Sequence, residues 1–267
     1  MVDLVTALGA GVVSTFLPLF GGILIPLQFV RLRPARSNDW LAAVSSGIVF
    51  WFFLDVMGDA ALLDVNQGFR GDYTHPILAL MFALGIVALL GLERRFSPAS
   101  VPQSLSSQKE APKVASVNKM TFAVAAMAAL GIGFHALGEG IDIGSAIPNS
   151  PDILRAIGGL LPGVAYVLHK LLEGFVVGVF ALFSGVVSMR RVGVLGVISG
   201  TPTVIGFFTG LPNALDPSYF FALGGAGAIY IELKLVPLFS RSARPYGYLV
   251  PLLLGFYAMY FAGLFHS

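Results

Sequence analysis

Residues 154–187 read LRAIGGLLPGVAYVLHKLLEGFVVGVFALFSGVV, and this stretch decides the class of fold. After Arg155 the run is apolar except for Ser184 near its end and three neighbouring positions, His169, Lys170 and Glu173. About 20 apolar residues suffice to cross the hydrocarbon core of a bilayer as a helix, and this run exceeds that. Continuous apolar runs also exclude an outer-membrane barrel, whose strands alternate apolar and polar residues over about ten positions. The charged residues inside it therefore ask for a partner or a purpose, because a buried charge costs roughly 2.5–3.5 kcal/mol on insertion scales.

Seven further runs of the same kind flank this one. Together they predict eight spans at about 4–30, 39–60, 75–94, 119–146, 154–187, 192–212, 217–239 and 246–265. The composition agrees: 267 residues are 56% hydrophobic and only 11% charged, with a mean hydropathy of +0.84, where soluble domains are about 25% charged. The expected fold is all-α, a polytopic membrane protein with eight transmembrane helices in a 3+2+3 arrangement. It divides into helices 1–3 (1–96), a cytoplasmic loop (97–118), helices 4–5 (119–187) and helices 6–8 (188–267). No strong sequence repeat links the two outer triplets, although inverted repeats in transporters often escape detection at this level.

Charge sets the orientation. Of 16 Lys and Arg, 12 fall in the loops after spans one, three, five and seven, at Arg31, Arg33, Arg36, Arg94, Arg95, Lys109, Lys113, Lys119, Arg190, Arg191, Arg241 and Arg244. Arg70 and Arg155 lie on the other side, and Lys170 and Lys234 fall within spans. Cytoplasmic loops carry the positive excess, so both termini are expected outside, in a multi-pass protein of the cell membrane. The net charge of +2 reports topology rather than a nucleic-acid partner. The first run has no basic residue ahead of it and exceeds a signal-peptide core, so it is expected to be retained. The stretch 97–118, rich in Ser, Pro, Gln and Lys, reads as a flexible linker.

The chain has no cysteine, which excludes disulfides, thiolate metal sites and cysteine nucleophiles. What it has is a motif written twice. Span four contains His135-Ala136-Leu137-Gly138-Glu139-Gly140 and span five His169-Lys170-Leu171-Leu172-Glu173-Gly174: His, three residues, Glu, Gly. Residues four apart share one helix face about a turn apart, so each helix offers an imidazole and a carboxylate together. Consecutive antiparallel helices can oppose these faces, converging two nitrogens and two oxygens on one divalent ion. Mixed N and O donors suit Zn, Fe(II), Mn, Co or Cd. The plainer reading is that each His and Glu hydrogen-bond and hold helices together. The glycines have a plainer reading too, close helix packing.

These paired motifs resemble those of the ZIP (Zrt- and Irt-like) family of divalent metal transporters, in its fourth and fifth helices. The eight spans, outside termini, long loop after span three, Gly47 through Asp55, Gly200-Thr201-Pro202 with Gly206, and Gly227 to Glu232 followed by Pro237 are similar to that family. The resemblance implies an elevator-like or rocking carrier with two-fold-related outer helices, usually dimeric. It would move Zn2+, or Fe2+, Mn2+, Co2+ or Cd2+, into the cytosol, with zinc the leading substrate and no cofactor. His135, Glu139, His169 and Glu173 are the expected metal ligands.

The chain also departs from that pattern. Relatives commonly have Asn after the span-four His and Pro before each Glu; here these positions are Ala136, Gly138 and Leu172. Where many carry an acidic or amide residue that helps form a second metal site, this chain has Lys170. The expectation is that its ammonium takes the place of a second ion and pairs with Glu232 or Glu173, the plainer alternative being a side chain that points away and snorkels. Asp55, Met57, Asp59 and Asp142, toward the outer ends of spans two and four, are candidate accessory or entrance residues, with capping or solvated helix ends as the alternative for Asp59 and Asp142. His75 and His266 are assigned no role. Two rivals remain: an intramembrane zinc hydrolase, which needs an open coordination position and a general base and shows no HExxH, and a ZIP-like protein that binds metal without moving it.

Overall fold

A computed structural model describes residues 4–32, 37–60, 74–97, 120–150, 158–186, 188–212, 215–240 and 245–264. Among them there is no strand. Eight α-helices follow one another: α1 Leu4–Leu32, α2 Ser37–Asp59, α3 Thr74–Phe96, α4 Phe122–Ala146, α5 Leu160–Phe183, α6 Met189–Gly210, α7 Ser218–Ser240 and α8 Leu249–Gly263. Short 3-10 turns, Ile147–Asn149 and Pro245–Tyr248, follow α4 and precede α8.

Among the described residues seven helices are long and apolar enough to cross a membrane, and α8, of 15 residues, is shorter. At 1.5 Å per residue α8 covers about 22 Å; the preceding four-residue turn adds about 8 Å. The expected fifth span began at 154, whereas α5 begins at Leu160 because Gly158 and Gly159, with φ of 80° and 117°, hold a backbone that a helix excludes. It ends after Phe183 in a Schellman arrangement: Gly185, at φ 64°, donates its N–H to Leu182 O, and Val186 donates to Ala181 O. The linker from 98 to 118 lies outside the described residues.

Hydrocarbon offers no hydrophobic drive between helices, so close packing must hold them together, and small residues permit it. Glycines supply three seams. On α2 and α8, a Cβ on Gly47 would strike Leu252 O, and one on Gly255 would strike Val44 O. Gly22 on α1 meets Leu171 O on α5, while Gly174 and Gly178 on α5 meet Leu19 O and Ile23 O on α1. Gly206 on α6 meets Leu137 O on α4, while Gly140 and Gly144 on α4 meet Thr203 O and Phe207 O on α6. Helix α7 lies among α2, α3 and α4, touching α4 where Gly131 and Gly227 face each other backbone to backbone. Away from these seams, Ile77, Leu80, Leu84, Val87 and Leu90 on α3 are exposed, an apolar stripe suited to lipid.

Lys234 and Glu93 tie α7 to α3. Lys234 Nζ lies 2.8 Å from both Glu93 oxygens, and Tyr230 Oη donates to Glu93 Oε2 at 3.0 Å. This pair sits in the C-terminal half of α7 and at the C-terminal end of α3.

Candidate metal centre

The two motif helices bring their His and Glu side chains together. His135, Glu139, His169 and Glu173 are all buried, at 1%, 3%, 1% and 2% exposure. One donor atom from each lies within 4.8 Å of the other three. Within a helix, His135 Nε2 is 3.3 Å from Glu139 Oε1, and His169 Nε2 is 3.3 Å from Glu173 Oε1. Across helices, His135 Nε2 to Glu173 Oε1 is 3.9 Å and His169 Nε2 to Glu139 Oε1 is 3.8 Å. The imidazoles are stacked at 5.6 Å between centroids.

These distances are informative about an ion. A tetrahedral zinc with bonds of about 2.0–2.1 Å has ligand–ligand edges of about 3.3–3.4 Å. Of the six edges, the two intrahelical ones already have that length, the two crossed ones need to close by about half an ångström, and the His–His and Glu–Glu edges lie within 4.8 Å. The donor set of two imidazoles and two carboxylates matches borderline divalent ions. Four donors around one ion would fill a tetrahedron, whereas a hydrolytic zinc keeps a position open for water.

Lys170 completes the centre. Its ammonium contacts Glu139 Oε2 and donates to Glu173 Oε2 at 2.8 Å, and its side chain is 1% exposed. Each carboxylate is thus divided: Oε1 faces the imidazole nitrogens and Oε2 faces the ammonium. The Lys170 Nζ also lies 5.5 Å from the centre of the Tyr166 ring, and the Tyr166 hydroxyl is hydrogen-bonded to Thr15 on α1 at 2.8 Å. Of the two expected partners of Lys170, Glu173 is engaged; the second contact is Glu139, across the helix pair, in place of Glu232. Glu232 accepts a hydrogen bond from Ser46 on α2 at 2.8 Å, because α7 presents it to α2 rather than to α5.

The entrance candidates are dispersed. Met57 is buried with its Sδ over Gly225 of α7. Asp55 lies on the side of α2 facing Gly263 at the end of α8. Asp59 and Asp142 are exposed at the ends of α2 and α4, near enough to sense each other's charge and that of His135 and Glu139. None of the four joins the His/Glu cluster.

Two aromatic residues that the sequence reading passed over cover the centre. Phe52 on α2 meets the His135 ring edge-on at 4.7 Å and the His169 ring at 6.1 Å; Phe221 on α7 lies 5.3 Å from His135. His135 Nδ1 is buried without a hydrogen-bond partner among the described residues, so ring packing holds this imidazole where a carbonyl or carboxylate usually would. Phe221 also lies where a Cβ on Gly138 would collide with it, which explains why a glycine stands three residues after His135. The glycine that closes each motif is a packing residue: Gly140 admits α6 and Gly174 admits α1.

The contacts of the two motif helices repeat in register. Counting from each His, the carbonyl at +2 faces a glycine four residues after a proline (Gly22 after Pro18, Gly206 after Pro202), and the glycines at +5 and +9 face the carbonyls one and five residues after that proline. The matching signal in the sequence is Pro-x-x-x-Gly, in α1 and again in α6. Scanned against models of protein families and searched against curated proteins, the sequence returns no match.

Proposed function

We propose that this protein is a ZIP-like carrier that moves one divalent transition-metal ion, zinc foremost and otherwise Fe2+, Mn2+, Co2+ or Cd2+, across the cell membrane toward the cytoplasm. The observation that carries this reading is the buried His135, Glu139, His169 and Glu173 cluster, with two edges of tetrahedral length, held between two membrane-type helices. A site this deep in lipid is costly unless it serves an ion.

The 3+2+3 arrangement is part of the proposal. The pairing of α5 with α1 and of α4 with α6 through the same offsets supports a two-fold relation that exchanges the outer triplets and the two motif helices. Such a relation, with α8 completing an eighth span, fits outside termini and inverted repeats. A homodimer is the assembly the family resemblance implies. Four protein ligands favour a carrier over a zinc hydrolase, which would need an open position.

The test is uptake of Zn(II), Fe(II), Mn(II), Co(II) and Cd(II) into proteoliposomes by the parent, His169→Ala and Glu173→Ala, each checked for monodisperse elution. Saturable flux that both substitutions reduce at least a hundredfold is the expected outcome. Binding by calorimetry without flux of any metal would replace the carrier with a static metal site.

A further inference from the structure

We propose that Lys170 is a tethered counter-ion that lets the empty site cross the membrane, so that the carrier resets without a second ion travelling in exchange. This rests on the carrier reading above. The geometry is that of a shared pair: one ammonium bridges the Oε2 atoms of Glu139 and Glu173, while both Oε1 atoms stay turned to the imidazoles. The cation therefore offsets half of the carboxylate charge without occupying the four-donor cage. It also rides with them, because Lys170 and Glu173 are on α5 and Glu139 is on α4.

Counting formal charges gives the consequence. With neutral imidazoles, two carboxylates and one ammonium leave the empty site at −1, and a divalent ion raises it to +1. Without the ammonium the same states are −2 and 0. The cost of holding charge in low dielectric grows with its square, so the doubly charged empty site would be the hard one to move. Lys170 makes the two halves of the cycle comparable by charging the loaded site and relieving the empty one. An ammonium covalently fixed to α5 and 1% exposed is also not lost to either compartment.

Two flux modes separate these halves. Exchange of labelled for unlabelled Zn(II) at equal concentrations requires only the loaded site to move; net uptake into zinc-free vesicles, with potential clamped by K+ and valinomycin, requires the empty site to return. Lys170→Met and Lys170→Gln are expected to lower the ratio of net uptake to exchange at least tenfold, and Lys170→Arg, which keeps the charge, to restore it toward the parent ratio. A ratio unchanged in the Met and Gln variants, or both modes falling in proportion, overturns the proposal. The parent alone decides the matter if the variants misfold: net uptake comparable to exchange supports the proposal, and exchange without net uptake overturns it while leaving the carrier intact. A parent without flux in either mode overturns the carrier reading itself.

Discussion

At the scale of single residues, the site is a competition for two carboxylates. The Oε1 atoms face the imidazoles, where the proposed metal would bind, and Lys170 holds the Oε2 atoms. A like charge about 5 Å away weakens the binding of any cation even at an effective dielectric near 20. Lys170→Gln is therefore expected to bind Zn(II) at least tenfold more tightly in competition with a zinc dye. The apo variant, with its carboxylates deprived of the ammonium, should melt earlier than the parent and regain stability when zinc is added. Phe52 is the second residue to test: Phe52→Ala removes the ring packed on both imidazoles, and zinc affinity should fall about tenfold as the ligands lose their orientation, measured with the same dye. The His-to-Glu spacing was legible because i and i+4 on one helix is a one-dimensional fact. The bridging of Lys170 to Glu139 and the cover by Phe52 depend on which helices meet, and no spacing along the chain encodes that.

At the scale of elements, glycine placement decides which helices pair. Gly140 and Gly174 admit the backbones of α6 and α1, so Gly140→Ala and Gly174→Ala must push a carbonyl away. Overpacking of this kind costs about 1–3 kcal/mol, and both variants should show lower melting temperatures by fluorescence-detected size exclusion. Gly193→Ala is the control, since a Cβ there meets nothing within 4 Å, and it should melt as the parent does. Helix existence was readable from apolar runs alone, and the boundaries moved by a few residues where local backbone chemistry intervened, as at Gly158 and Gly159. The seams were not readable. Pro18 with Gly22 and Pro202 with Gly206 look like ordinary small-residue and kink positions until the facing carbonyls of Leu171 and Leu137 are known.

At the scale of the whole molecule, the uneven distribution of Lys and Arg predicts which side each helix end occupies. Helix α7 offers a direct test because Ser218 and Ser240 stand at its two ends and the parent contains no cysteine. In intact cells an impermeant maleimide should label Ser218→Cys, and should label Ser240→Cys only after permeabilisation. Labelling in the opposite sense would invert the molecule in the membrane.

The depth of the four donors sets a clock as well as a place. With His135, Glu139, His169 and Glu173 all under 4% exposed and two phenyl rings seated against the imidazoles, a chelator in solution cannot reach a seated ion. Departure must wait for helices to part. The residence time of the ion is then a property of the protein's own opening rate, and stripping by increasing chelator should level off at a rate that more chelator does not raise.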